Sequence, residues 1–341
     1  MKDSPDDRVP LALKFPRLDG KPGEFELRDY RGNDPWVVQD RELALANWKI
    51  LSGFLQLNQV RLAELGYQDF KAAVERDRAL AKRGAGAARY LTQTARNLLM
   101  WLRAATTGEY SRKVAAADSK QSSFAGYSKA YELLSYFAEP TWHGWVDGTF
   151  TRAPMLLHHQ TNMEKLAAIL RQWDARSVLE FGCGSGINLA LLRKVCELPA
   201  SVELSGFEYP LNRAFTARAT IEALDLDIRE LFCADGMNLP CADGSYDVLY
   251  SHYVIEQLAG FEQRALSEML RVARRGVVLF ETALYRPTLN QRIYMAHCGY
   301  SKNLPEVAAR MPGVTVERVE NVTDNRFFGA PNVMIVLKKK N

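Results

Sequence analysis

Three carboxylate residues follow short apolar segments of this 341-residue chain, and the first of them leads into a turn rich in glycine. Glu180 stands two residues before Gly182, and Glu208 and Asp235 close two later apolar segments. A carboxylate accepts several hydrogen bonds at once, and its two oxygens can hold both hydroxyls of a ribose. The pattern therefore predicts a site for a nucleoside-type ligand, with Glu208 as the acceptor for its ribose.

The turn after Glu180 carries glycine at three alternating positions, Gly182, Gly184 and Gly186. Glycine has no Cβ atom and readily adopts a positive φ, so the backbone can turn sharply and approach a ligand closely. The segment before the turn is apolar on both faces, which predicts a buried parallel strand. The apolar run after it, residues 187–195, predicts a helix. We therefore expect a strand, a tight turn and a helix, a unit that several nucleotide-binding folds share.

The spacing of the turn separates these folds. A dinucleotide-binding turn needs its third glycine where Ile187 stands, and a phosphate-binding loop needs Lys followed by Ser or Thr at 187–188. An acid two residues before the first glycine instead resembles class I S-adenosylmethionine-dependent methyltransferases. The resemblance implies that Glu180 faces the amino group of the cofactor's methionine, and that the glycines and Cys183 lie under it. A glycine-rich turn without a ligand is the alternative.

The resemblance covers about residues 154–341, and residues 234–258 are closest to the small-molecule, methyltransferase-11-like branch of this family. It implies that Asp235 accepts a hydrogen bond from the adenine amino group. Gln257 departs from the pattern, because many relatives carry His there. Besides the turn, the implied cofactor-binding residues are Glu208, Tyr209, Asp235, Gly236 and Ser251.

Strands that alternate with helices and end in a pair of strands predict an α/β fold. The resemblance implies a Rossmann-like sheet of seven strands, mostly parallel, closed by an antiparallel hairpin from residues 314–319 and 332–337. A length of 341 residues predicts two domains. We place an N-terminal, mainly helical domain at residues 1–150 and the methyltransferase domain at residues 151–341.

The N-terminal domain resembles no family. Its opening, through Trp36, predicts extended chain or a small hairpin, and the periodicity then predicts helices over residues 41–65, 67–82 and 87–105. An apolar stripe on these helices predicts packing on the methyltransferase domain or on a second copy of the chain. The domain would then serve substrate recognition or form a homodimer.

Aromatic residues interleave with small and polar ones over residues 123–159. In methyltransferases of this type, the segment before the first strand often folds over the cofactor, so a lid is one interpretation and an interdomain core is the other. Residues 142–145 predict a loop. His158 and His159 are neighbours about 100° apart on a helix, so only one of them is expected to face the pocket.

The implied reaction is attack by an O, N or C nucleophile on the methyl group of S-adenosylmethionine, which leaves S-adenosylhomocysteine. The protein must supply in-line positioning and, for a protonated nucleophile, a base. The carboxyl ends of the fourth and fifth strands face the methyl group, which selects His252, Tyr253 and Glu281 as catalytic candidates. His252 is the first choice because an ordinary imidazole titrates near neutrality, and Glu281 is the second. The alternative is that His252 packs against the cofactor and does not act as a base.

Composition constrains the partners. The chain carries a net charge of +4 with 47% hydrophobic residues, and it has no apolar run that could span a membrane. Five cysteines without paired metal-ligand spacing predict reduced thiols in a cytoplasmic protein and no bound metal. Weak basicity disfavours nucleic acid. We expect a small-molecule methyl acceptor; a protein or tRNA acceptor, or a non-catalytic binding module on the same fold, are the alternatives.

Overall fold

The computed structural model describes residues 9–17, 22–46, 82–83, 142–146, 149–153, 155–298, 303–323 and 331–340, with a few helical positions between 92 and 102. The elements in chain order are β1 (Leu11–Pro16), β2 (Glu24–Asp29), α1 (Pro35–Ala46), β3 (Lys82–Arg83), β4 (Trp142–Val146), β5 (Thr149–Ala153), α2 (Met155–Gln172), β6 (Ser177–Phe181), α3 (Ile187–Ala190) with a following π-helical turn (Leu191–Val195), β7 (Glu203–Glu208), α4 (Leu211–Ala223), β8 (Glu230–Cys233), β9 (Tyr246–His252), a 3₁₀ turn (Ile255–Gln257), α5 (Glu262–Val272), β10 (Ala273–Thr282), α6 (Leu289–Cys298), α7 (Leu304–Ala309), β11 (Val314–Thr323) and β12 (Asn332–Lys339).

The main sheet has the strand order β1-β2-β8-β7-β6-β9-β10-β12-β11. Its strands from β8 to β10 are parallel, and β12 and β11 close the sheet as an antiparallel pair. These seven strands confirm the predicted Rossmann-like α/β sheet. The β1–β2 hairpin confirms the expected small hairpin, and β2 then pairs with β8 in parallel, which extends the sheet to nine strands.

The central strands are buried because both of their faces are covered by helices. Every position of β6 and β9 is buried. Alternate side chains of a strand point to opposite faces. Accordingly, Val178 packs in the cluster with Leu166 of α2, whereas Leu179 packs in the cluster with Leu266 of α5. Full burial of each such side chain contributes about 1.5–3 kcal/mol, so the core fixes the strands that position the site.

The direction of chain progression reverses at β6. From β6 the chain adds β7 and β8 on one side, and then β9 and β10 on the other. The point at which the strand order reverses is a topological switch point. The helical connections on its two sides run in opposite directions, which opens a crevice at the carboxyl ends of the adjacent strands. The ends of β6, β7 and β9 therefore define the place where a ligand binds.

The N-terminal predictions meet the structure only in part. Helix α1 begins at Pro35, before the predicted start at 41, and its described part ends at Ala46. The predicted helix at 67–82 lies outside the described residues except at Lys82, which begins β3, and most of the helix predicted at 87–105 also lies outside them. Residues 142–145 were expected to form a loop; they form β4, in a small sheet of order β3-β5-β4. The lid and the homodimer stay predictions. None of the described helices is long and apolar enough to cross a membrane.

Candidate active site

The glycine turn after β6 has the conformation that its sequence predicts. Gly182, Gly184 and Gly186 have φ of 73°, 55° and 74°, in the left-handed region. A Cβ atom on Gly182 would lie 2.8 Å from the Val254 side chain, and one on Gly186 would lie 3.3 Å from the backbone of α4. Because these glycines lack Cβ atoms, neighbouring parts of the chain can pack against the turn, and a ligand could also approach it closely.

Glu180 lies at the end of β6 with its side chain fully buried. Its Oε1 atom accepts a hydrogen bond of 2.7 Å from Asn188 Nδ2, and its Oε2 atom has no partner of normal hydrogen-bond geometry. Burial raises the pKa of Glu180 to about 8, although Asn188 and the nearby Tyr250 phenol oppose the shift. Glu180 is therefore a largely protonated, under-satisfied carboxyl group that a cationic ligand would ionise.

Glu208 lies at the end of β7 and is held by two backbone groups. Its Oε2 atom accepts from the N–H of Gly184 at 2.7 Å, and its Oε1 atom accepts from the N–H of Tyr209 at 2.8 Å. An ionised carboxylate offers about four acceptor positions, so two remain for hydroxyl donors. Asp235 follows β8, the neighbouring strand. Its Oδ1 atom accepts a hydrogen bond from the N–H of Met237 in the turn after the strand. The sequence-predicted acids thus meet at one edge of the sheet.

Three imidazoles and a phenol meet beside this edge, and we call His158, His159, His252 and Tyr253 the imidazole cluster. The ring centroid of His252 lies 4.3 Å from that of His159 and 6.3 Å from that of His158. Both neighbouring histidines of α2 therefore approach His252, and the expectation that only one of them faces the pocket stays a prediction. The rings of His252 and Tyr253 lie 4.4 Å apart.

Asparagine amides connect the cluster. Asn162 Nδ2 donates to His252 Nε2 at 2.8 Å, and Asn332 Nδ2 donates to Asn162 Oδ1 at 3.2 Å. On the other side, His159 Nδ1 donates at 2.8 Å to Asn188 Oδ1. Asn188 is also the residue that binds Glu180, so the acid under the turn and the imidazole cluster share one polar network.

The electrostatics of His252 remove the reason for choosing it as a base. Burial, followed by the neighbouring His159 and His158, lowers the pKa of His252 well below its ordinary value. Its Nε2 atom accepts from the Asn162 amide at 2.8 Å, whereas the Asn332 amide lies farther, at 3.4 Å, from His158 Nε2. A buried imidazole with these properties is neutral at physiological pH and is a weak proton acceptor.

Tyr253 differs from the other members of the cluster. It has a φ of 59°, which is a strained conformation for a residue with a side chain. Its hydroxyl makes a short hydrogen bond to His158 Nε2. Its side chain is only partly buried, whereas the three histidines are buried. Strain of this kind is often kept at functional sites.

Glu281, the second candidate base, has a structural role. Its Oε1 atom accepts from Ser251 Oγ at 2.6 Å and from the N–H of Val254 at 3.3 Å, and its Oε2 atom accepts from the N–H of Glu256 at 3.1 Å. The carboxyl group is fully buried and holds the loop that follows β9. Ser251, which was predicted to bind the cofactor, donates its hydroxyl hydrogen bond to Glu281. Both residues act on the site by fixing the backbone around Tyr253.

The carboxyl pair of Glu281 and Glu256 predicts a pH-dependent stability. Burial raises the pKa of both groups, and for Glu281 the Glu256 charge adds to the shift. A raised carboxyl pKa stabilises the fold below the ordinary carboxyl range, and this stability is lost as the pH rises through the raised pKa. We expect the ligand-free protein to lose about 1 kcal/mol of unfolding free energy per pH unit between about pH 7.5 and 8.5.

The measurement is urea unfolding across that range, which lies above the pH at which the unfolded histidines bind protons. Glu281→Gln is expected to reduce the dependence and leave the part that Glu180 contributes, whereas Glu203→Gln, at an exposed position of β7, should leave it unchanged. A wild-type protein whose stability is constant or increases across the range would contradict the assignment.

Sequence reasoning missed the asparagines that join the cluster. His158 and Asn162 are four residues apart and therefore share one face of α2, a signal that was available. Asn332 stands at the start of β12, opposite Thr282 and Thr323, and no local pattern marks it.

A cavity of about 480 Å³ lies beyond the carboxyl end of β10. It is lined by Tyr285, Arg286, Thr288, Val319, Glu320 and Asn321. The guanidinium of Arg286 lies 5.4 Å from the centroid of the Tyr285 ring. Glu320 forms an ion pair of 2.8 Å with Lys165, so its charge is compensated within the described part of the chain. Among the described ranges, no group of three or more His, Cys, Asp or Glu residues could hold a metal ion.

Comparison with known proteins agrees with the geometry of this edge. A protein-family model described as a methyltransferase domain matches residues 179–280. Residues 179–280, which include the glycine turn and its acids, are therefore similar to a methyltransferase domain. A curated relative, the malonyl-[acyl-carrier protein] O-methyltransferase of Methylovorus sp. (strain MP688), is 28% identical over 139 residues. The match spans 40% of this chain and 46% of that protein, less than half of its length.

Solved structures overlap with parts of the chain at low identity. The mitomycin 7-O-methyltransferase MmcR is 17% identical with a TM-score of 0.43, over 55% of this chain and 56% of that one. The [4+2]-cyclase SpnF is 15% identical with a TM-score of 0.46, over 65% and 96%. Magnesium protoporphyrin IX methyltransferase from Synechocystis PCC 6803 is 15% identical with a TM-score of 0.42, over 55% and 82%.

Proposed function

We propose that this protein transfers the methyl group of S-adenosylmethionine to an oxygen or nitrogen of a small metabolite. The observation that carries the proposal is Glu180, a fully buried carboxyl group directly before the glycine turn, whose Oε2 atom has no partner of normal hydrogen-bond geometry although the Tyr250 phenol lies nearby. A buried carboxyl atom without a partner costs free energy unless a ligand satisfies it. An ammonium group is the donor that suits this oxygen best, because it supplies N–H donors together with a positive charge.

The residues at this edge fit the rest of the cofactor. Glu208 retains acceptor positions for the ribose hydroxyls, Asp235 and Gly236 adjoin the adenine position, and Tyr209 supplies an aromatic ring. When bound, S-adenosylmethionine would supply a methyl group on a positively charged sulfur. The chain's own contribution is to orient this group and to exclude water around the buried imidazole cluster.

Proton transfer is assigned to Tyr253 and His158. The Tyr253 hydroxyl would accept the acceptor's proton while it passes its own proton to His158 Nε2 through the short hydrogen bond between them. Burial lowers the pKa of His158 to about 3, so its imidazolium is unfavourable in the ligand-free pocket, as is that of His252; His158 is preferred because its Nε2 atom is hydrogen-bonded to the Tyr253 hydroxyl. Loss of the positive charge on the methyl donor during the reaction would compensate for this, since the net charge of the pocket stays the same.

The cavity beside β10 supports a small acceptor. Its volume of about 480 Å³ lies within the range of small-molecule sites. Its lining combines an aromatic ring, a cation and an amide. The O-methyltransferase relative is consistent with an oxygen acceptor. Incubation of a metabolite panel with tritiated S-adenosylmethionine tests the class: label in small molecules supports it, and label only in protein or tRNA would replace it.

Cofactor binding is tested without any acceptor. We expect isothermal titration to show micromolar binding of S-adenosylhomocysteine, with release of up to about one proton near pH 7, because the ammonium group would ionise Glu180. Proton release is measured by repeating the titration in buffers with different ionisation enthalpies.

Glu180→Gln should remove the proton release and weaken binding, whereas Glu203→Gln should change neither. No detectable binding at about millimolar ligand would exclude the methyltransferase proposal, since that affinity corresponds to only about −4 kcal/mol. Binding without proton release would support the proposed cofactor but contradict the role of Glu180.

A further inference from the structure

The chain leaves β2 directly over the cofactor edge of the sheet. Because β2 pairs with β8 in parallel, through Arg28 with Phe232 and Asp29 with Cys233, both strands end at the same edge. The N–H of Tyr30 donates to the carbonyl of Cys233 at 2.9 Å and continues this contact past the strand. The N-terminal segment, residues 22–46, therefore lies beside the ends of β7 and β8.

A buried ion cluster ties this segment to the turn after β7. The guanidinium of Arg31 donates to Asp29 at 2.9 and 2.8 Å, to Asp40 Oδ2 at 2.6 Å and to the carbonyl of Tyr209 at 2.6 Å. Asp40 Oδ2 also accepts from the N–H of Leu211 at 3.0 Å. The side chains of Arg31 and Asp29 are fully buried.

The cluster is neutral and closed. Arg41 donates to Asp29 Oδ2 at 2.8 Å, so two arginines balance two aspartates. Burial alone would raise the pKa of Asp29, but hydrogen bonds from Arg31 and Arg41 lower it below its ordinary value, so Asp29 stays ionised. Buried ion pairs of this kind often give no more stability than apolar side chains of similar size. The contacts that the cluster makes with neighbouring segments therefore explain it better than a contribution to stability does.

The contacts of the cluster fall on both sides of Pro210, which joins Glu208 and Tyr209 to α4. On one side Arg31 holds the Tyr209 carbonyl, and its guanidinium lies 5.5 Å from the centroid of the Tyr209 ring. On the other side Asp40 holds the first N–H of α4. The opposite end of the hairpin packs on the same helix, with the rings of Phe15 and Phe215 4.4 Å apart.

Tyr209 and Glu208 belong to the adenosine half of the proposed cofactor site. Burial raises the pKa of Tyr209 to about 12, and the charge of Asp235 adds to the shift, so the phenol lies near the acid assigned to the adenine. The N–H of Tyr209 fixes Glu208 Oε1 at 2.8 Å. Displacement of the Tyr209 backbone would therefore move both the aromatic ring and the ribose carboxylate.

We infer that Arg31 is a positioning residue for the adenosine half of the cofactor, and that the N-terminal segment is a fixed wall of the cofactor site. The inference rests on the proposed function. Arg31 acts through the Tyr209 carbonyl and Asp40, so its loss is expected to weaken binding of adenosine-containing ligands.

The test measures S-adenosylhomocysteine and adenosine binding to Arg31→Met by isothermal titration, at a temperature at which circular dichroism shows the variant to be folded. Both dissociation constants are expected to rise about tenfold, and by the same factor, because networks that do not touch a ligand change affinity by about 0.5–2 kcal/mol. Arg28→Met is the matched control, since Arg28 lies on β2 with 56% of its side chain exposed and interacts with Tyr30, Glu26 and Glu230, outside the ion cluster. It should bind like the wild type.

If Arg31→Met does not fold, Asp40→Asn takes its place, because it removes one charge and keeps Arg31 paired with Asp29. It should weaken both ligands in the same direction. Wild-type affinity in a folded Arg31 or Asp40 variant, even one with a lower melting temperature, would overturn the inference and leave the proposed function intact. A wild-type protein that binds neither ligand would overturn both.

Discussion

Replacement of Glu208 by Ala is expected to raise the dissociation constant of S-adenosylhomocysteine at least about 100-fold. In the proposed site, Glu208 accepts both ribose hydroxyls, and a hydrogen bond to a charged group contributes about 1.5–3 kcal/mol. The same carboxylate holds the N–H groups of Gly184 and Tyr209, so its loss also loosens the glycine turn. Both effects act on cofactor binding in the same direction.

Two variants separate these effects. Glu208→Gln keeps a carbonyl oxygen that can still accept from one backbone N–H, so it is expected to lose part of the affinity. Glu203→Ala lies on the same strand at its exposed start and should bind like the wild type. A dissociation constant for Glu208→Ala within about threefold of the wild type would remove Glu208 from the ribose site, because that ratio corresponds to less than about 1 kcal/mol.

The cofactor edge could be predicted from the sequence because its signals are local. Glu180 and the glycines are adjacent in the chain, and each acid directly follows an apolar strand, so a parallel sheet brings them to one edge. The positive φ of the three glycines follows from the residue type and the turn. Resemblance to a family then added the identity of the ligand, which spacing alone did not supply.

The electrostatics of the site could not be predicted in this way, because they depend on tertiary burial. His252 was chosen as a base from the ordinary pKa of an imidazole, but burial, followed by the neighbouring His159 and His158, lowers that pKa. Glu281 was chosen as a carboxylate at a strand end, and its oxygens bind the loop after β9. The partners responsible, His159 and Glu256, are identified only by the folded arrangement.

The N-terminal segment shows the same limit for the fold. A hairpin was expected before Trp36, but its attachment to β8 depends on Asp29, Arg31 and Asp40, which the sequence shows only as scattered charges. Charged residues in a polar segment predict solvent exposure. Their burial became visible only in the structure.

Replacement of Tyr253 by Phe is expected to lower methyl-transfer turnover about 100-fold, with the affinity for S-adenosylhomocysteine within about threefold of the wild type. Phe keeps the ring contact with His252 and removes only the hydroxyl that binds His158. His158→Asn should cause a similar loss, and the double variant should be no slower than either single one, since both residues serve one proton transfer.

The measurement is release of S-adenosylhomocysteine with the acceptor found in the metabolite panel, over about pH 6 to 9. His252→Asn is the matched comparison, because it removes an imidazole from the same cluster but not the Tyr253 hydroxyl; its turnover should fall less than about tenfold. The opposite ranking, with His252→Asn slow and Tyr253→Phe active, would return the base to His252. It would also mean that cofactor binding displaces the Asn162 amide from His252 Nε2, since that nitrogen cannot accept a second proton donor while the amide occupies it.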